Sequence, residues 1–236
     1  MKKHIPNSIT MMNLFSGCIA IVMAFQQNFL GVFIFVVLAG VFDFFDGFSA
    51  SLLHVSSPMG VELDSLADVV SFGVAPAAAI FIFLKEFAAY PEFLLPLQEW
   101  IPYSAFFIPV FSALRLAKFN IDDRQTTSFL GLPTPADALF WVSFCYGLQN
   151  VAQENESLIY FVIAFIALFS WLMVSEIPMF SFKIKSKKLK GNEKQLLLVV
   201  LMIAFVSLWG ILGIAAGILG YIAISIFMKK KEATHV

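Results

Sequence analysis

The sequence predicts an all-α polytopic membrane protein with about eight transmembrane helices, and three observations lead to this fold class. The first is composition: 60% of the 236 residues are hydrophobic, 13% are charged and the mean hydropathy is +0.87, whereas soluble domains are about 45–50% apolar and about 25% charged. The second is that the apolar residues form runs of about 20, which is the length that crosses a hydrocarbon core of about 30 Å. The third is the distribution of charge along the chain.

Polar or proline-containing joints divide the apolar runs into the eight predicted helices. The first follows a basic start and is interpreted as a retained helix, because no small-residue cleavage site follows it. The last two come from one apolar run, 195–228, which is too long for a single span and is predicted to fold back near Trp209. Within it, Gly213 and Gly217 have the spacing that lets helices approach closely, inside one chain or in a dimer. In order, the helices are 9–25, 29–53, 64–84, 100–118, 135–150, 158–177, 195–209 and 211–228.

Positive charge supports this count. If the N-terminus is cytoplasmic, Lys85 is the only one of the fifteen Lys and Arg residues that falls outside, as expected for a membrane protein with basic cytoplasmic loops. Eight helices place both termini in the cytoplasm, although six helices and a re-entrant hairpin satisfy the same rule. This pattern suits a bacterial inner membrane. The net charge of -1 gives no basic excess, so no nucleic-acid partner is expected.

Four aspartates interrupt the apolar sequence where the second predicted helix ends and the third begins. Asp43 and Asp46 are three residues apart, and Asp64 and Asp68 are four apart, so each pair projects from one face of its helix. Antiparallel packing of the two helices would bring all four carboxylates together near the cytoplasmic side. Such carboxylates would repel one another unless a cation joined them, and intramembrane acids are generally functional.

The ligand types indicate which cation would bind. The cluster offers only oxygen ligands, and His54 is the only histidine nearby, which favours Mg²⁺ or Mn²⁺ over zinc. Gly47 and Ala50 have little side chain to obstruct a ligand. The structural alternative is a set of water-facing carboxylates at helix ends, with Asp64 serving as an N-cap residue.

The segment 43–68 resembles the signature of the CDP-alcohol phosphatidyltransferases, D-x2-D-G-x2-A-R-x8-G-x3-D-x3-D. Every fixed position matches except Ser51, where the family pattern has arginine. Further similarity to the phosphatidylserine synthase branch of that family is found at 5–17, 111–122, 129–140 and 173–183. The resemblance implies a six-helix catalytic domain in residues 1–190, followed by a C-terminal hairpin and basic tail in 191–236.

The resemblance also implies an activity. Enzymes of this family transfer a phosphatidyl group from CDP-diacylglycerol to an alcohol and release CMP, and the branch motifs make serine the expected acceptor. The four aspartates would hold two divalent ions on the pyrophosphate, and Asp68 would also be the general base. Phosphoryl transfer needs charge neutralisation and in-line positioning, both of which paired metal ions supply. A homodimer among the membrane lipids is the expected assembly.

Two groups of residues would then bind the substrates. Arg115 and Lys118 lie one turn apart and would bind the serine carboxylate, although cytoplasmic anchoring is an alternative for both. A polar stripe on the first helix would bind the nucleotide, with helix capping as the alternative for its first member. The residues expected around the CDP-lipid are Asn7, Thr10 and Asn13 of this stripe and Gly47, Ala50, Ser51 and Gly60 of the signature.

Three other functions fit parts of the same pattern. The acceptor could be glycerol 3-phosphate or inositol, although a phosphorylated acceptor would need a larger basic cluster. A divalent-cation carrier would explain the carboxylates but not their position at one membrane face. The loss of the motif arginine at Ser51 raises the third alternative, a relative that binds CDP-lipid without releasing CMP.

Overall fold

The computed structural model describes residues 4–55, 57–121, 129–151, 155–180 and 192–227. Residues 181–191, which include five lysines, and the basic end at 228–236 lie outside the described residues. The helices, numbered in chain order, are α1 (His4–Phe25), α2 (Phe29–Leu53), α3 (Pro58–Asp68), α4 (Ala75–Lys85), α5 (Phe107–Ile121), α6 (Thr134–Leu148), α7 (Ser157–Val174), α8 (Glu193–Trp209) and α9 (Leu212–Phe227).

The all-α polytopic membrane fold is confirmed. Five helical stretches of the described chain are long and apolar enough to cross a membrane: His4–Phe25, Phe29–Leu53, Pro58–Lys85, Ile101–Ile121 and Ser157–Val174. Helices α6, α8 and α9 coincide with the other three predicted spans but have only 15, 17 and 16 residues. The total of eight spans therefore stays a prediction.

The predicted helix at 64–84 is longer in the structure because it begins at Pro58. Ser57 caps this end: its side chain accepts a hydrogen bond from the Gly60 N–H at 3.0 Å, and proline at the first helical position has no N–H to leave unpaired. A π-helical segment, Val69–Val74, joins α3 to α4 without a break. Two 3₁₀ segments, Glu92–Leu97 and Ile101–Phe106, lead into α5.

The bundle is arranged around α4 and α6, whose residues are mostly buried. On α6, Trp141 is fully buried and Phe140 stacks on Phe169 of α7, with ring centroids 4.2 Å apart. Helix α1 packs mainly against α2 and also contacts α3 and α4. These contacts bring the first four helices together at the acidic segment, while α4 and α6 form the apolar core behind it.

The C-terminal hairpin packs onto this core through α9, which lies between α6 and α8. A Cβ added to Gly213 would overlap the backbone of Phe205 on α8, and one added to Gly217 would overlap the side chain of Met202. The close approach expected from the glycine spacing is therefore made inside one chain. Helix α8 has a single buried residue, Leu198, which leaves most of its surface for lipid.

A short antiparallel strand pair fixes the segment before α6. Strands β1 (Phe129–Leu130) and β2 (Pro178–Met179) pair with each other, and the N–H of Leu132 donates to the carbonyl of Leu172 at 3.0 Å. Gly131, which directly follows β1, has a φ of +76°, and a Cβ added to it would overlap the Met173 carbonyl. Glycine is needed there for both reasons.

Candidate active site

Three of the four aspartates form one cluster. A carboxylate oxygen from each of Asp43, Asp64 and Asp68 lies within 4.8 Å of the others. Asp43 comes from α2, whereas Asp64 and Asp68 come from consecutive turns of α3. The prediction that the two helices bring their acids together is therefore confirmed for these three residues.

The cluster has the chemistry of a divalent-cation site. One oxygen of Asp64 is buried and has no hydrogen-bond partner among the described residues, which is costly unless a cation or water satisfies it. Two oxygens on opposite sides of one Mg²⁺ are about 4.2 Å apart, so small movements of the carboxylates suffice to bind an ion. The alternative of Asp64 as a helix cap is wrong, because Ser57 caps α3 and Asp64 lies inside it.

The fourth aspartate, Asp46, is held next to the cluster by α1. The Thr10 hydroxyl lies 2.6 Å from Asp46 Oδ2 and 3.1 Å from the Pro6 carbonyl. A hydroxyl has one proton, and the shorter, charge-assisted bond is the stronger one, so Thr10 donates to the carboxylate. Asp46 is buried and lies beside the cavity described below.

Asp68 is also oriented by α1, because Asn13 Nδ2 donates to its Oδ1 at 3.2 Å. One turn further along, the Ser71 hydroxyl donates to the Asn13 backbone carbonyl at 3.0 Å. Ser71 belongs to the π-helical segment that begins directly after Asp68, and such segments occur frequently at functional sites. The wider helical turn thus places Asp68 and Ser71 against the same residue of α1.

A cavity of about 150 Å³ opens beside the aspartates, between α1, α2 and the start of α3. It contains many of the residues predicted to surround the CDP-lipid. A Cβ added to Gly47 would meet nothing within 4 Å, whereas one added to Gly60 would lie 3.3 Å from Asn7 Oδ1. Glycine at 47 therefore leaves the cavity open, and glycine at 60 lets α3 approach α1. The lining is Pro6, Asn7, Thr10, Asp46, Gly47, Ala50, Val55, Ser57, Gly60, Val61 and Asp64.

The position of the missing motif arginine lies at the edge of this region. Ser51 is exposed and lies in the last turn of α2, and it is not among the cavity-lining residues. His54 ends the helix in the left-handed conformation with a φ of 51°, and its N–H donates to the Ser51 carbonyl at 3.2 Å. The observed role of His54 is thus to end α2, and a contact of Ser51 with lipid phosphates stays a prediction.

The two predicted acceptor residues have different surroundings. Arg115 of α5 is buried, and α5 packs against α3 and the π-helical segment that follows Asp68. Lys118 is exposed, and its ammonium donates to the carbonyl of Val174, the last residue of α7, at 3.3 Å. A cation at the end of a helix is favourable there. Arg115 thus lies on a helix that packs beside α3, which carries two of the aspartates, and Lys118 has a contact at the end of α7.

Two buried polar residues were not singled out from the sequence. Asp137 of α6 and Tyr221 of α9 are both fully buried, and the Tyr221 hydroxyl donates to the Phe180 carbonyl at 3.1 Å. An aspartate inside an apolar helix is itself a recognisable sequence signal, whereas a tyrosine in the C-terminal hairpin gives none.

The fold and the site together define a polytopic membrane protein with a cluster of carboxylates that could bind a divalent cation. The family model for CDP-alcohol phosphatidyltransferase matches residues 3–174. The chain belongs to this family.

Curated relatives place the similarity in one branch. A CDP-diacylglycerol–serine O-phosphatidyltransferase of Helicobacter pylori is 34% identical over 206 residues, covering 85% of this chain and 80% of the relative. The protein of that name in Bacillus subtilis is 34% identical over 182 residues, covering 76% and 92%. The one in Methanocaldococcus jannaschii is 35% identical over 173 residues, covering 73% and 72%.

Proposed function

We propose that this chain transfers the phosphatidyl group from CDP-diacylglycerol to L-serine, giving phosphatidylserine and CMP. The cluster of Asp43, Asp64 and Asp68 beside the cavity is the observation on which this proposal depends. The name shared by the curated relatives supports serine as the acceptor. The family match supports the CDP-linked lipid as donor.

The aspartates fit a metal-dependent reaction. Asp43, Asp46, Asp64 and Asp68 would hold two Mg²⁺ or Mn²⁺ ions, which neutralise charge on the pyrophosphate when bound. Thr10 and Asn13 orient Asp46 and Asp68 through their hydrogen bonds. Such supporting contacts keep metal-ligating carboxylates in position and typically change metal affinity 10- to 100-fold.

Asp68 is the proposed general base. The serine hydroxyl oxygen attacks the phosphorus that bears the diacylglycerol, and its proton passes to Asp68. The bond from that phosphorus to the bridging oxygen breaks, and CMP leaves with this oxygen. Asn13 donates to one Asp68 oxygen, which leaves the other oxygen to take the proton if its metal contact is weak.

The acceptor would enter beside Arg115. A guanidinium can bind a carboxylate through two parallel hydrogen bonds, and α5, which carries Arg115, packs against α3 and the segment that follows the proposed base. Lys118 stays a second candidate for this role, and the remaining predicted CDP-lipid residues Asn7, Gly47, Ala50, Ser51 and Gly60 stay candidates for donor binding.

The division into domains, the orientation in the membrane and the assembly are part of the same proposal. The catalytic domain is taken as residues 1–190 and the C-terminal hairpin with its tail as 191–236, and the family match up to residue 174 supports this division. The distribution of basic residues supports a site facing the cytoplasm, with both termini on that side. A bacterial inner membrane and a homodimer complete the proposal.

Purified protein in mild detergent tests the function directly. We expect labelled serine, CDP-diacylglycerol and Mg²⁺ or Mn²⁺ to give labelled phosphatidylserine and CMP, with little product from glycerol 3-phosphate or inositol in parallel reactions. Product from another acceptor would overturn the assignment of serine and of Arg115 while keeping the metal site. CDP-diacylglycerol binding without CMP release from any acceptor would indicate a relative that lacks the activity.

A further inference from the structure

The segment between α4 and α5 has one edge that is apolar and exposed. Its two 3₁₀ segments, Glu92–Leu97 and Ile101–Phe106, are joined by a turn with the same hydrogen-bond spacing. The Trp100 N–H donates to the Leu97 carbonyl at 2.9 Å, and the Tyr103 N–H donates to the Trp100 carbonyl at 3.1 Å. Side chains three residues apart therefore share one edge. Four exposed residues with this spacing form what we call the outer stripe: Leu97, Trp100, Tyr103 and Phe106.

The rest of the segment packs onto the bundle and holds the outer stripe in place. Ala105 is fully buried. The ring of Tyr103 meets that of Phe81 on α4 edge-on, with centroids 5.4 Å apart. The ring of Phe93 stacks on that of Tyr160 near the start of α7, with centroids 6.4 Å apart and planes 10° from parallel. The segment is thus attached to α4 and α7, and the outer stripe faces away from both.

The segment lies at the end of the bundle opposite the aspartates. Pro58–Lys85 is one continuous span that has Asp64 near its start and leads into the segment at its end. Near the end of α5, Asn120 Nδ2 donates to the Ser65 hydroxyl of α3 at 2.9 Å, so this part of α5 is level with the aspartates. From there back to Trp100 the helix rises roughly 33 Å, which is close to the hydrocarbon thickness of about 30 Å.

The chemistry of the outer stripe matches the boundary between hydrocarbon and headgroups. Tryptophan and tyrosine rings are amphipathic and are enriched at that depth. The sequence has no basic residue between Lys85 and Arg115, so attraction to anionic headgroups does not explain the exposed rings. The outer stripe also continues into Phe107 and Val110, which are 57% and 61% exposed on the first turns of α5. Because those residues belong to a span, lipid is the occupant that covers both surfaces.

We propose that residues 92–106 are a membrane-surface anchor, which lies along the leaflet opposite the aspartates and inserts the outer stripe among the glycerol and upper acyl groups of its lipids. Trp100, the most exposed member at 72%, enters the boundary region, and its indole N–H stays within reach of lipid carbonyls and water. The anchor fixes the depth at which α5 enters the bilayer.

Spin labels on cysteine variants measure the depth of the outer stripe. Trp100→Cys and Tyr103→Cys are made separately in a Cys18→Ala protein and reconstituted in phosphatidylcholine vesicles. The remaining Cys145 is buried and escapes the label. We expect both labels to collide with a water-soluble nickel complex at least about 3-fold less often than a label in the aqueous loops does, and to collide more often with oxygen, which dissolves in lipid.

Two further labels calibrate the measurement. Asn150→Cys is the aqueous reference, because Asn150 is exposed in the polar joint before α7, at the same end of the bundle. Val22→Cys is the lipid reference, because Val22 is 50% exposed on the spanning helix α1. Nickel collisions at Trp100→Cys as frequent as those at Asn150→Cys would overturn the anchor. Rare collisions with both reagents would show that protein covers the outer stripe, and would overturn it as well.

The native tryptophan gives a second measurement, which keeps the proposal falsifiable if a cysteine variant does not fold. The fluorescence that the wild type has and Trp100→Phe lacks is the emission of Trp100. We expect this difference to be quenched at least about 2-fold more by phosphatidylcholine brominated near the headgroup end of its chains than by lipid brominated near the chain ends. Stronger quenching by the deeper bromine, or no quenching by either lipid, would overturn the proposal.

Discussion

At the residue scale, the four aspartates are not equivalent. Thr10 donates to Asp46, Asn13 donates to Asp68, and one oxygen of Asp64 has no partner within the described chain. A carboxylate that already accepts a hydrogen bond is held in one orientation, whereas an unpaired buried oxygen gains most from a cation. We therefore expect Asp64 to be the member of the cluster that gains most from binding a cation.

The general-base role of Asp68 is tested by Asp68→Asn, which keeps the size of the side chain and removes the basic oxygen. We expect kcat to fall about 10²- to 10⁴-fold, with binding of CDP-diacylglycerol retained. Labelled phosphatidylserine formation measures the first and equilibrium binding of the labelled donor the second. Glu62→Gln, an exposed acid of the same helix, is the control. Wild-type kcat in Asp68→Asn would exclude this residue as the base.

The support that Thr10 gives to Asp46 is tested by Thr10→Val, which replaces the hydroxyl with a methyl group of similar size. We expect the Mg²⁺ or Mn²⁺ concentration for half-maximal activity to rise about 10- to 100-fold. Ser8→Ala is matched to it, because the exposed Ser8 hydroxyl has one hydrogen bond among the described residues, to the His4 carbonyl of its own helix. An identical metal dependence for all three proteins would show that Thr10 does not support the metal site.

The residues of the site could be predicted from the sequence much better than the hydrogen bonds that join them. The spacings of three and four residues indicated which acids share a face, and a polar stripe at Asn7, Thr10 and Asn13 was evident. From the sequence, this stripe was expected to bind the nucleotide. In the structure, Thr10 and Asn13 donate hydrogen bonds to aspartates. Their partners depend on how α1 is rotated against α2 and α3, which tertiary packing decides.

At the scale of elements, α1 and the π-helical segment make the closest contact near the site. A Cβ added to Gly17 would overlap the Ser71 hydroxyl and lie 2.8 Å from the Ser71 Cα. Because the obstruction includes backbone, a rotamer change cannot relieve it. The contact lets the Ser71 hydroxyl reach the Asn13 carbonyl, and it thereby holds the segment that follows Asp68 against α1.

Gly17→Val tests this contact. We expect the variant to be destabilised by about 1–3 kcal/mol, as for overpacking of a filled core, and to lose activity because α3 moves away from α1. Thermal unfolding in detergent measures the stability, and formation of labelled phosphatidylserine measures the activity. Gly220→Ala is the control, because a Cβ there would meet its nearest neighbour at 3.8 Å. Unfolding of Gly17→Val at the wild-type temperature would contradict the close approach.

Helices were predicted more easily than the details of their ends and turns. Apolar length identified all eight helical regions, because each buried or lipid-facing run has the composition of a span. The N-terminal extension of the third helix to Pro58 depends on the Ser57 cap. The π-helical segment at Val69–Val74 could not be recognised from the sequence, since its residues would fit an ordinary α-helix and the wider turn depends on packing against neighbouring helices, among them α1 and α5.

At the scale of the whole molecule, the acids from two helices must coexist in an apolar bundle. Removal of divalent ions with a chelator should abolish phosphatidylserine formation, because the donor pyrophosphate would meet unneutralised carboxylates. Mg²⁺ or Mn²⁺ should restore activity, and Zn²⁺ should restore less, since the cluster has neither Cys nor His ligands. Full activity in the chelated protein would overturn the metal site.

The π-helical segment also has a consequence for chain length. It holds about one more residue per turn than the α-helices on either side, so it accommodates an extra residue while α3 and α4 keep nearly the phase of one continuous α-helix. Deleting a single residue within Val69–Val74 would allow unbroken α-helix from Pro58 to Lys85, and Asp64 and Asp68 would still face Asp43. The deletion would remove the wider turn that sets the Ser71 hydroxyl against the Asn13 carbonyl. The extra residue thus serves the contact between α1 and the segment after Asp68, and not the direction of the aspartates.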